Sequence, residues 1–368
     1  MKKKRVKAVN KLFSTALNNK IFSCGAVGFS KWKNSSYERF VEHYGFIQYE
    51  PFTVRLTKDH FFDLASLTKP LSTVLVLLSL FEKKIIQPDT QLGDIYPWCP
   101  ADKKKITLQQ LMSHGAGFVP HREYFNELIH IPQKQRKDFL LKSIFEEKLE
   151  SKREGTHCYS DLGFILLGLI IEKIMEQDLG EIARVVIYEP LGLQNDLLFP
   201  GLHPKKDKTY VCTEKRLKEG TMLSGVVHDD NCRAMGGEAG HAGLFGSLFG
   251  VMTLCEHLLD QWQNRAQHLA YSNVLLQKIL TRIGESSWTM GFDMVSEEGS
   301  SSGKYFSKES VGHLGFTGTS FWMDPKKDCI VVLLTNRVYY GWENWKIKKF
   351  RPELHNLLMA EESGKVEI

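Results

Sequence analysis

Segments patterned as β-strands lie near both ends of this chain, and the long stretch between them is patterned as helices. Short runs of β-branched, aromatic and small residues predict strands at residues 24–30, 39–44, 288–294, 311–316, 319–324 and 329–336. Residues 325–328, between the last two strands, have the composition of a hairpin turn. Apolar periodicity predicts helices at residues 66–83, 138–149, 161–175, 248–262 and 343–358. Strands that pair across such a distance form one sheet closed by the two ends of the chain.

The predicted fold class is α+β: an antiparallel sheet built from both chain ends and flanked by helices, with a large, mostly helical insertion. We expect residues 1–90 and 284–368 to form the sheet domain and residues 91–283 to form the mostly helical domain. A chain of 368 residues is long enough for one large domain or two interleaved ones with a substantial core.

The cysteines are typical of a reducing compartment. Seven are scattered along the chain without a C-x-x-C pair, namely Cys24, Cys99, Cys158, Cys212, Cys232, Cys255 and Cys329. An odd, scattered set argues against a disulfide framework and against a structural zinc site. The hydrophobic content of 42% and charged content of 25% are ordinary for a soluble globular protein.

The chain starts with a basic run, Met1 to Lys7, but polar and charged residues interrupt the stretch that follows, so it does not form the apolar part of a signal peptide. We interpret the basic run as a solvated helix end rather than a segment that binds nucleic acid or lipid.

The most apolar stretches, 71–81 and 162–171, are too short to cross a bilayer. We therefore expect a cytoplasmic protein with a small-molecule or peptide substrate, no nucleic-acid partner and no integral membrane segment. The sequence carries no signal of its oligomeric state.

Ser66-Leu67-Thr68-Lys69 is an S-x-x-K tetrapeptide, a spacing that Ser30/Lys33 and Ser301/Lys304 also have. Only Ser66 opens an apolar helix, where residues i and i+3 share one face and the helix N-terminus favours negative charge on the serine oxygen. Lys69 can act as a base only if it is neutral part of the time, and we expect burial at the foot of an apolar helix, near another cation, to lower its pKa enough. The alternative is that Ser66 is a helix N-cap and Lys69 a surface residue.

Two further segments carry residues suited to catalysis. Tyr159-Ser160-Asp161 precedes a helix, and a tyrosine there offers its phenolic oxygen to a neighbouring site; we expect nearby lysines to lower its pKa so that it can transfer protons. His313-Leu314-Gly315 lies on a predicted strand, where the small Gly315 lets a substrate approach the strand edge. The alternatives are an aromatic lid over a helix start and a core histidine in a tight strand connection.

In this order and spacing, the three elements resemble the serine β-lactamase and penicillin-binding protein superfamily, its class C and esterase branch in particular. That family has S-x-x-K, then Y-x-N, then K-T-G or H-x-G. Further likenesses lie at Thr107 to Gly117 (I-T-x-x-x-L-L-T-H-T-S-G in the family), Glu189 to Leu193 (P-L-G-M), Gly240 to Leu259 (A-G-G-L-x-S-T) and Gly315 to Ser320 (G-x-T-G-T-S). The resemblance covers about residues 62–336 and implies a β-lactamase/transpeptidase-like fold.

The resemblance implies a serine hydrolase that forms an acyl-enzyme. Ser66 would be the nucleophile, Lys69 the base and Tyr159 an assistant to base and leaving group, while the N–H groups of Ser66 and Phe316 would hold the oxyanion. Asp161, His313, Gly315 and Phe316 would bind substrate. No cofactor and no metal are implied.

Two departures from the family pattern point away from efficient β-lactam hydrolysis. Asp161 stands where the family has an asparagine, so an amide that donates to substrate becomes a charged acceptor. His313 stands where β-lactamases have a lysine that binds a substrate carboxylate, which weakens anion recognition at neutral pH. Both changes favour the esterase, D-aminopeptidase and carboxypeptidase-like members.

The leading hypothesis is thus a serine hydrolase acting on a small ester or a D-amino-acid or muropeptide-type amide. The second is a catalytically weak or silent module that senses cell-wall peptides with the same cleft. A third, a metallohydrolase built on His228, Asp229 and His241, has no helical ligand spacing to support it. We interpret the Gly-rich loop that carries those three residues as a rim of the active-site cleft.

Overall fold

The computed structural model describes residues 3–49, 52–150, 157–216 and 221–360. Its strands are β1 (Cys24–Lys33), β2 (Ser36–Gln48), β3 (Val54–Arg55), β4 (His60–Asp63), β5 (Leu197–Leu198), β6 (Thr209–Tyr210), β7 (Cys212–Arg216), β8 (Thr221–Ser224), β9 (Phe245–Gly246), β10 (Asp293–Met294), β11 (Val311–Leu314), β12 (Ser320–Asp324) and β13 (Cys329–Thr335).

The α-helices are α1 (Lys3–Asn18), α2 (Val74–Glu82), α3 (Leu92–Ile95), α4 (Leu108–Met112), α5 (Phe125–Leu128), α6 (Gln133–Glu146), α7 (Asp161–Met175), α8 (Leu179–Ala183), α9 (Asp230–Ala234), α10 (Leu248–Trp262), α11 (Asn273–Ile279) and α12 (Ile347–Met359). Short 3₁₀ segments cover Ala65–Leu67 and Arg337–Tyr340, and π-helical turns cover Lys69–Thr73 and Arg184–Tyr188.

Both ends of the chain build the main sheet, which confirms the predicted fold class. Its seven strands run in the order β10-β11-β12-β13-β1-β2-β3, and every neighbouring pair is antiparallel. The central pair joins the first strand of the chain to the last, with Ala26 opposite Leu334 and Val27 opposite Leu333. Two smaller sheets, β5-β9-β4-β6 and β7-β8, lie in the remainder of the described chain.

Alternate side chains of the main sheet pack into two hydrophobic cores, one on each face. Val27 and Leu333 pack with α1 and α12 in a smaller cluster that includes Phe13 and Phe350. Ala26 and Leu334 face the opposite way, into a larger cluster shared with α2, α7 and α10. This period of two is what a sheet covered on both faces requires.

The predicted strands and helices differ from the observed ones mainly at their ends. The strand predicted at 288–294 is reduced to β10 and an isolated bridge between Trp288 and Asp293, because Gly291 adopts φ +97° and interrupts it. The helix predicted at 138–149 lies at Gln133–Glu146, directly after Pro132. The helix predicted at 343–358 begins later, at Ile347. Of the basic start, residues 1–2 lie outside the described residues, and Lys3 onward forms α1.

The helical run after β4 agrees within one residue at each end with the helix predicted at 66–83. Residues Ala65–Glu82 form one helical run of 18 residues, long and apolar enough by length and composition to cross a membrane. The apolar stretch 71–81 is only part of this run, because 3₁₀ and π turns extend the helix from α2 towards Ser66. However, 89% of this run is buried inside the protein, as in the core helix of a globular fold.

Candidate active site

A sharp turn between β4 and the helical run places Ser66 at the surface of the core. Asp63, at the end of β4, accepts hydrogen bonds from the N–H groups of Ala65 (2.9 Å) and His228 (2.7 Å). Ala65 adopts φ +49°, a left-handed conformation that costs a non-glycine residue about 1 kcal/mol. The strain is held in place by the buried Asp63 and leaves Ser66 half-buried at the start of the run.

Lys69 lies one turn after Ser66 and is fully buried. Its amine contacts three side-chain oxygens: Oγ of Ser66 at 2.9 Å, the hydroxyl of Tyr159 at 2.6 Å and Oδ1 of Asp161 at 2.7 Å. An ammonium group has three N–H donors, so each of these oxygens is matched by one donor.

Tyr159 and Asp161 reach this amine from the start of α7. The Tyr159 hydroxyl donates to Ser66 Oγ at 2.8 Å, and the second oxygen of Asp161 lies 3.6 Å from Nδ1 of His121. The Ser160 N–H donates to Nδ1 of His114 at 3.2 Å, and the ring of His114 lies 4.7 Å from that of Tyr159. The predicted residues Ser66, Lys69, Tyr159 and Asp161 thus form one hydrogen-bonded cluster.

The charges of this cluster differ from those expected from the sequence. Burial alone would lower the pKa of Lys69, but the negative charge of Asp161, together with the hydrogen bonds to Asp161 and Tyr159, outweighs it and raises that pKa above its ordinary value. Burial likewise raises the pKa of Tyr159, more than Lys69 lowers it. The expectations of a lowered pKa for Lys69 and for Tyr159 are both wrong, because the sequence does not show that Asp161 contacts the amine. Although burial opposes it, Lys69 holds the pKa of Asp161 well below its usual range.

The other two serines with the S-x-x-K spacing have no such surroundings. Ser30 is buried inside β1, and its hydroxyl donates to Glu256. Ser301 lies in a turn, and its backbone carbonyl contacts the ring of His355. Of the three, Ser66 is the one whose hydroxyl contacts a lysine and a tyrosine.

The segment after β11 packs against the turn that carries Ser66. The hydroxyls of Thr317 and Thr319 donate to the carbonyls of Asp63 (2.8 Å) and Leu64 (3.0 Å). A Cβ at Gly315 would lie 1.9 Å from Oγ1 of Thr319 and 2.7 Å from the carbonyl of Leu64, so only glycine fits. In the described part of the chain, the N–H groups of Ser66 and Phe316 show no hydrogen bond to a protein acceptor.

His313 is buried beside this segment and is uncharged. Burial lowers the pKa of His313 to about 3, and its Nδ1 lies 2.9 Å from the carbonyl of Leu314. Its Nε2 is buried and lacks a hydrogen-bond partner among the described residues. The ring of Trp288 lies 6.1 Å from that of His313 and 5.7 Å from that of Tyr159. Weak anion recognition by His313, expected from the sequence, agrees with this neutral state.

The loop with His228, Asp229 and His241 borders the cluster. Nε2 of His241 is hydrogen-bonded to Oδ1 of Asp229 at 3.0 Å, and the His241 carbonyl lies 3.4 Å from the Lys69 amine. His228 instead contacts Glu214, and its ring stacks on Phe316 with centroids 5.7 Å apart. Within the four described ranges, no three His, Cys, Asp or Glu side chains are grouped to hold a metal ion.

The structure adds four residues that the sequence did not single out for the site: Asp63, His114, His121 and Trp288. His114 lies in a segment that resembles the family, which was the one available signal. Asp63, His121 and Trp288 come from a strand end and from loops, whose positions depend on tertiary packing.

A half-buried serine that is hydrogen-bonded to a buried lysine and a tyrosine, on this fold, defines the β-lactamase/transpeptidase class of proteins. The sequence model of the family described as Beta-lactamase matches residues 39–346. The chain belongs to this family.

Relatives and solved structures agree with this family. A protein of Escherichia coli (strain K12), provisionally named D-alanyl-D-alanine carboxypeptidase, is 28% identical in an alignment 311 residues long that covers 77% of this chain and 70% of that protein. The octameric penicillin-binding protein homologue from Pyrococcus abyssi has a TM-score of 0.73 at 18% identity, covering 98% of this chain and 78% of that chain. A class C β-lactamase from Rhodobacter sphaeroides has a TM-score of 0.69 at 17% identity, covering 96% and 99%. At these identities the two structures establish the fold.

Proposed function

We propose that this protein hydrolyses a small ester or a D-amino-acid or muropeptide-type amide through an acyl-enzyme on Ser66. The observation that carries the proposal is the cluster in which the Lys69 amine and the Tyr159 hydroxyl both contact Ser66 Oγ, at 2.9 and 2.8 Å. A nucleophile within hydrogen-bond reach of two groups that transfer protons is the arrangement that covalent catalysis requires.

The reactive form of the cluster has one proton fewer than the resting form. Because the pKa values of Lys69 and Tyr159 are both raised, the resting state holds an ammonium and a phenol. The proton that must leave to give the reactive form is shared by this pair rather than assigned to either residue. As Ser66 Oγ attacks the substrate carbonyl, its proton passes to this pair and then to the leaving group. Water enters by the reverse route and releases the acyl group.

The oxyanion formed in each step is assigned to the N–H groups of Ser66 and Phe316. In the described part of the chain neither N–H donates to a protein acceptor. The hydroxyls of Thr317 and Thr319 hold the segment with Phe316 against the turn with Ser66 by hydrogen bonds to the backbone before Ser66. Each such donor contributes about 3–4 kcal/mol to transition-state stabilisation in enzymes of this type.

The charges near the cleft support a substrate without a carboxylate at the strand side. His313 is neutral, and the guanidinium groups of Arg337 and Arg351 are buried and donate to backbone carbonyls. The relatives provisionally named D-alanyl-D-alanine carboxypeptidase favour a D-amino-acid amide, so esters and such amides both belong to the test.

A second candidate function is binding without efficient turnover, as a sensor of cell-wall peptides. The raised pKa of Lys69 favours it, because an ammonium cannot accept the serine proton.

A substrate screen at several pH values separates the two functions. Wild type and Ser66→Ala are compared on p-nitrophenyl esters, a fluorescent penicillin and D-Ala-D-Ala peptides. Turnover that Ser66→Ala abolishes supports the hydrolase. Binding of a D-Ala-D-Ala peptide without turnover at any pH would support the sensor and contradict the hydrolase.

A further inference from the structure

Arg351, on α12, lies behind the segment that carries Phe316 and is an unusual buried cation. Its guanidinium donates to the carbonyls of Gly315 (2.9 Å) and Thr319 (2.8 Å), and only 6% of the residue is exposed. Within the described ranges it forms no ion pair with a carboxylate, and its Nε has no hydrogen-bond partner. Burial lowers the pKa of Arg351 to about 9, which leaves it charged at neutral pH.

The fold does not need Arg351 to satisfy these two carbonyls. The Gly318 N–H already donates to the Gly315 carbonyl at 3.0 Å, and the Gly315 N–H donates to the Thr319 carbonyl at 2.8 Å. Arg351 is therefore a second donor to each. A buried cation without a counter-ion is costly, and an apolar side chain of similar length is often at least as stable in such a place. This cost suggests that the charge itself has a use.

The Gly315 carbonyl belongs to the same peptide unit as the Phe316 N–H. A cation on the oxygen end of a peptide draws electron density towards it, because the unit is conjugated, and makes the N–H end more positive. We propose that Arg351 is a positioning residue that polarises the Gly315–Phe316 peptide, so that the Phe316 N–H binds a developing oxyanion more strongly. The inference rests on the proposed function, in which Phe316 is an oxyanion donor.

A second buried arginine, Arg337, contacts a different peptide unit, so the polarisation of the Phe316 N–H is assigned to Arg351 alone of the two. Nε of Arg337 donates to the Phe316 carbonyl at 2.6 Å, which belongs to the next peptide unit, and its guanidinium lies 4.4 Å from the centre of the Phe316 ring. Arg337 thus supports the Phe316 side chain and polarises the Thr317 N–H, which is not assigned to the oxyanion.

The test replaces the charge and keeps the volume. Arg351→Met and Arg351→Lys are compared with His355→Leu, a matched control one turn later on α12 whose buried ring contacts the Ser301 carbonyl. The readouts are kcat and KM on a p-nitrophenyl ester, and inhibition by phenylboronic acid, which forms a tetrahedral adduct on a serine. A fourth readout, independent of turnover, is the ¹H shift of the Phe316 amide, assigned with Phe316→Tyr.

For Arg351→Met we expect kcat to fall about tenfold with little change in KM, since the lost interaction strengthens only in the transition state. The inhibition constant of phenylboronic acid should rise by the same factor, and the Phe316 amide proton should move upfield. Arg351→Lys should restore most of the loss, and His355→Leu should change none of these quantities more than about twofold.

Three results would overturn the inference: an unmoved Phe316 amide in Arg351→Met, a kcat equal to that of the wild type, or an equal loss of kcat in His355→Leu. A wild type that hydrolyses neither esters nor D-Ala-D-Ala peptides and does not bind phenylboronic acid would instead refute the proposed function and the catalytic consequence drawn here. In that case the Phe316 amide shift still decides whether Arg351 polarises the peptide.

Discussion

Asp161 has the largest effect on the chemistry of the cluster, because it is charged where the family has a neutral amide. Its two oxygens contact Lys69 and His121, at 2.7 and 3.6 Å. The ion pair satisfies a buried ammonium, but it also raises the pKa of Lys69 and so removes the free base from neutral solution. The residue that completes the hydrogen bonding of the site thus limits its reactivity.

Replacing Asp161 by Asn should move the activity to lower pH. The charge of Asp161 raises the pKa of Lys69, so its removal lowers that pKa, and the base becomes available at a lower pH. We expect the acid limb of the kcat/KM profile of Asp161→Asn to shift down by about 1–2 pH units. The measurement is ester hydrolysis between pH 5 and pH 10.

Asp229→Asn is the matched control for this prediction. Asp229 is paired with His241 at 3.0 Å and caps α9, and asparagine caps a helix as well as aspartate does. Its acid limb should stay within about 0.3 pH units of the wild type. An acid limb of Asp161→Asn that is unmoved or shifted upward would contradict the assignment of Lys69 and Tyr159 as the titrating pair.

At the level of elements, helix α7 and the loop before β9 meet backbone to backbone. A Cβ on Gly168 would lie 2.6 Å from the Gly240 nitrogen, and one on Gly240 would lie 2.1 Å from the Phe164 carbonyl. The Gly240 carbonyl also accepts a hydrogen bond from Thr73 at 2.7 Å. This close contact fixes α7, which starts at Asp161, relative to the segment after Lys69.

Gly168→Ala should therefore destabilise the fold and distort the site. We expect the free energy of unfolding to fall by about 2–3 kcal/mol, because neither backbone can move without breaking contacts. Urea denaturation followed by circular dichroism measures it.

Gly163→Ala, on the same helix, is the control. A Cβ at Gly163 meets the Leu111 carbonyl at an ordinary 3.4 Å, and alanine is the better helix former. Its free energy of unfolding should stay equal or rise by up to about 1 kcal/mol. Equal stability of the two variants would show that the α7–loop contact is not tight.

The elements whose apolar pattern is long were predictable from the sequence, and the geometry of the cluster was not. The predictions for α7 and α10 match at both ends, since each is a long apolar run directly preceded by a serine. The S-x-x-K and Tyr159 motifs were recognised by spacing. The bond between Asp161 and Lys69 was missed, because it joins residues 92 positions apart and depends on how α7 packs.

At the level of the whole molecule, one hydrophobic core spans the two domains that we propose at residues 1–90 with 284–368 and at 91–283. Ala26 and Val332 of the sheet belong to the same buried cluster as Leu111 and Leu166 of the helical segment. Helix α10, from the helical segment, packs on β1 and β13. The helical domain cannot separate from the sheet without exposing this core.

Unfolding should accordingly be one cooperative transition. The helices dominate circular dichroism at 222 nm, and the fluorescence of a variant that keeps only Trp322, buried on β12, reports on the sheet. The urea midpoints from the two probes should coincide within about 0.2 M. Two separate midpoints would show that the domains unfold independently.

The most direct test of the proposed mechanism is the intact mass of the protein after brief mixing with p-nitrophenyl acetate and acid quenching. Wild type should gain one acetyl group, 42 Da, located on Ser66 by peptide mapping. Ser301→Ala, which removes a serine with the same S-x-x-K spacing, should gain it too, whereas Ser66→Ala should not. Acetylation that persists in Ser66→Ala, or release of p-nitrophenol by Ser66→Ala at the wild-type rate, would contradict Ser66 as the nucleophile.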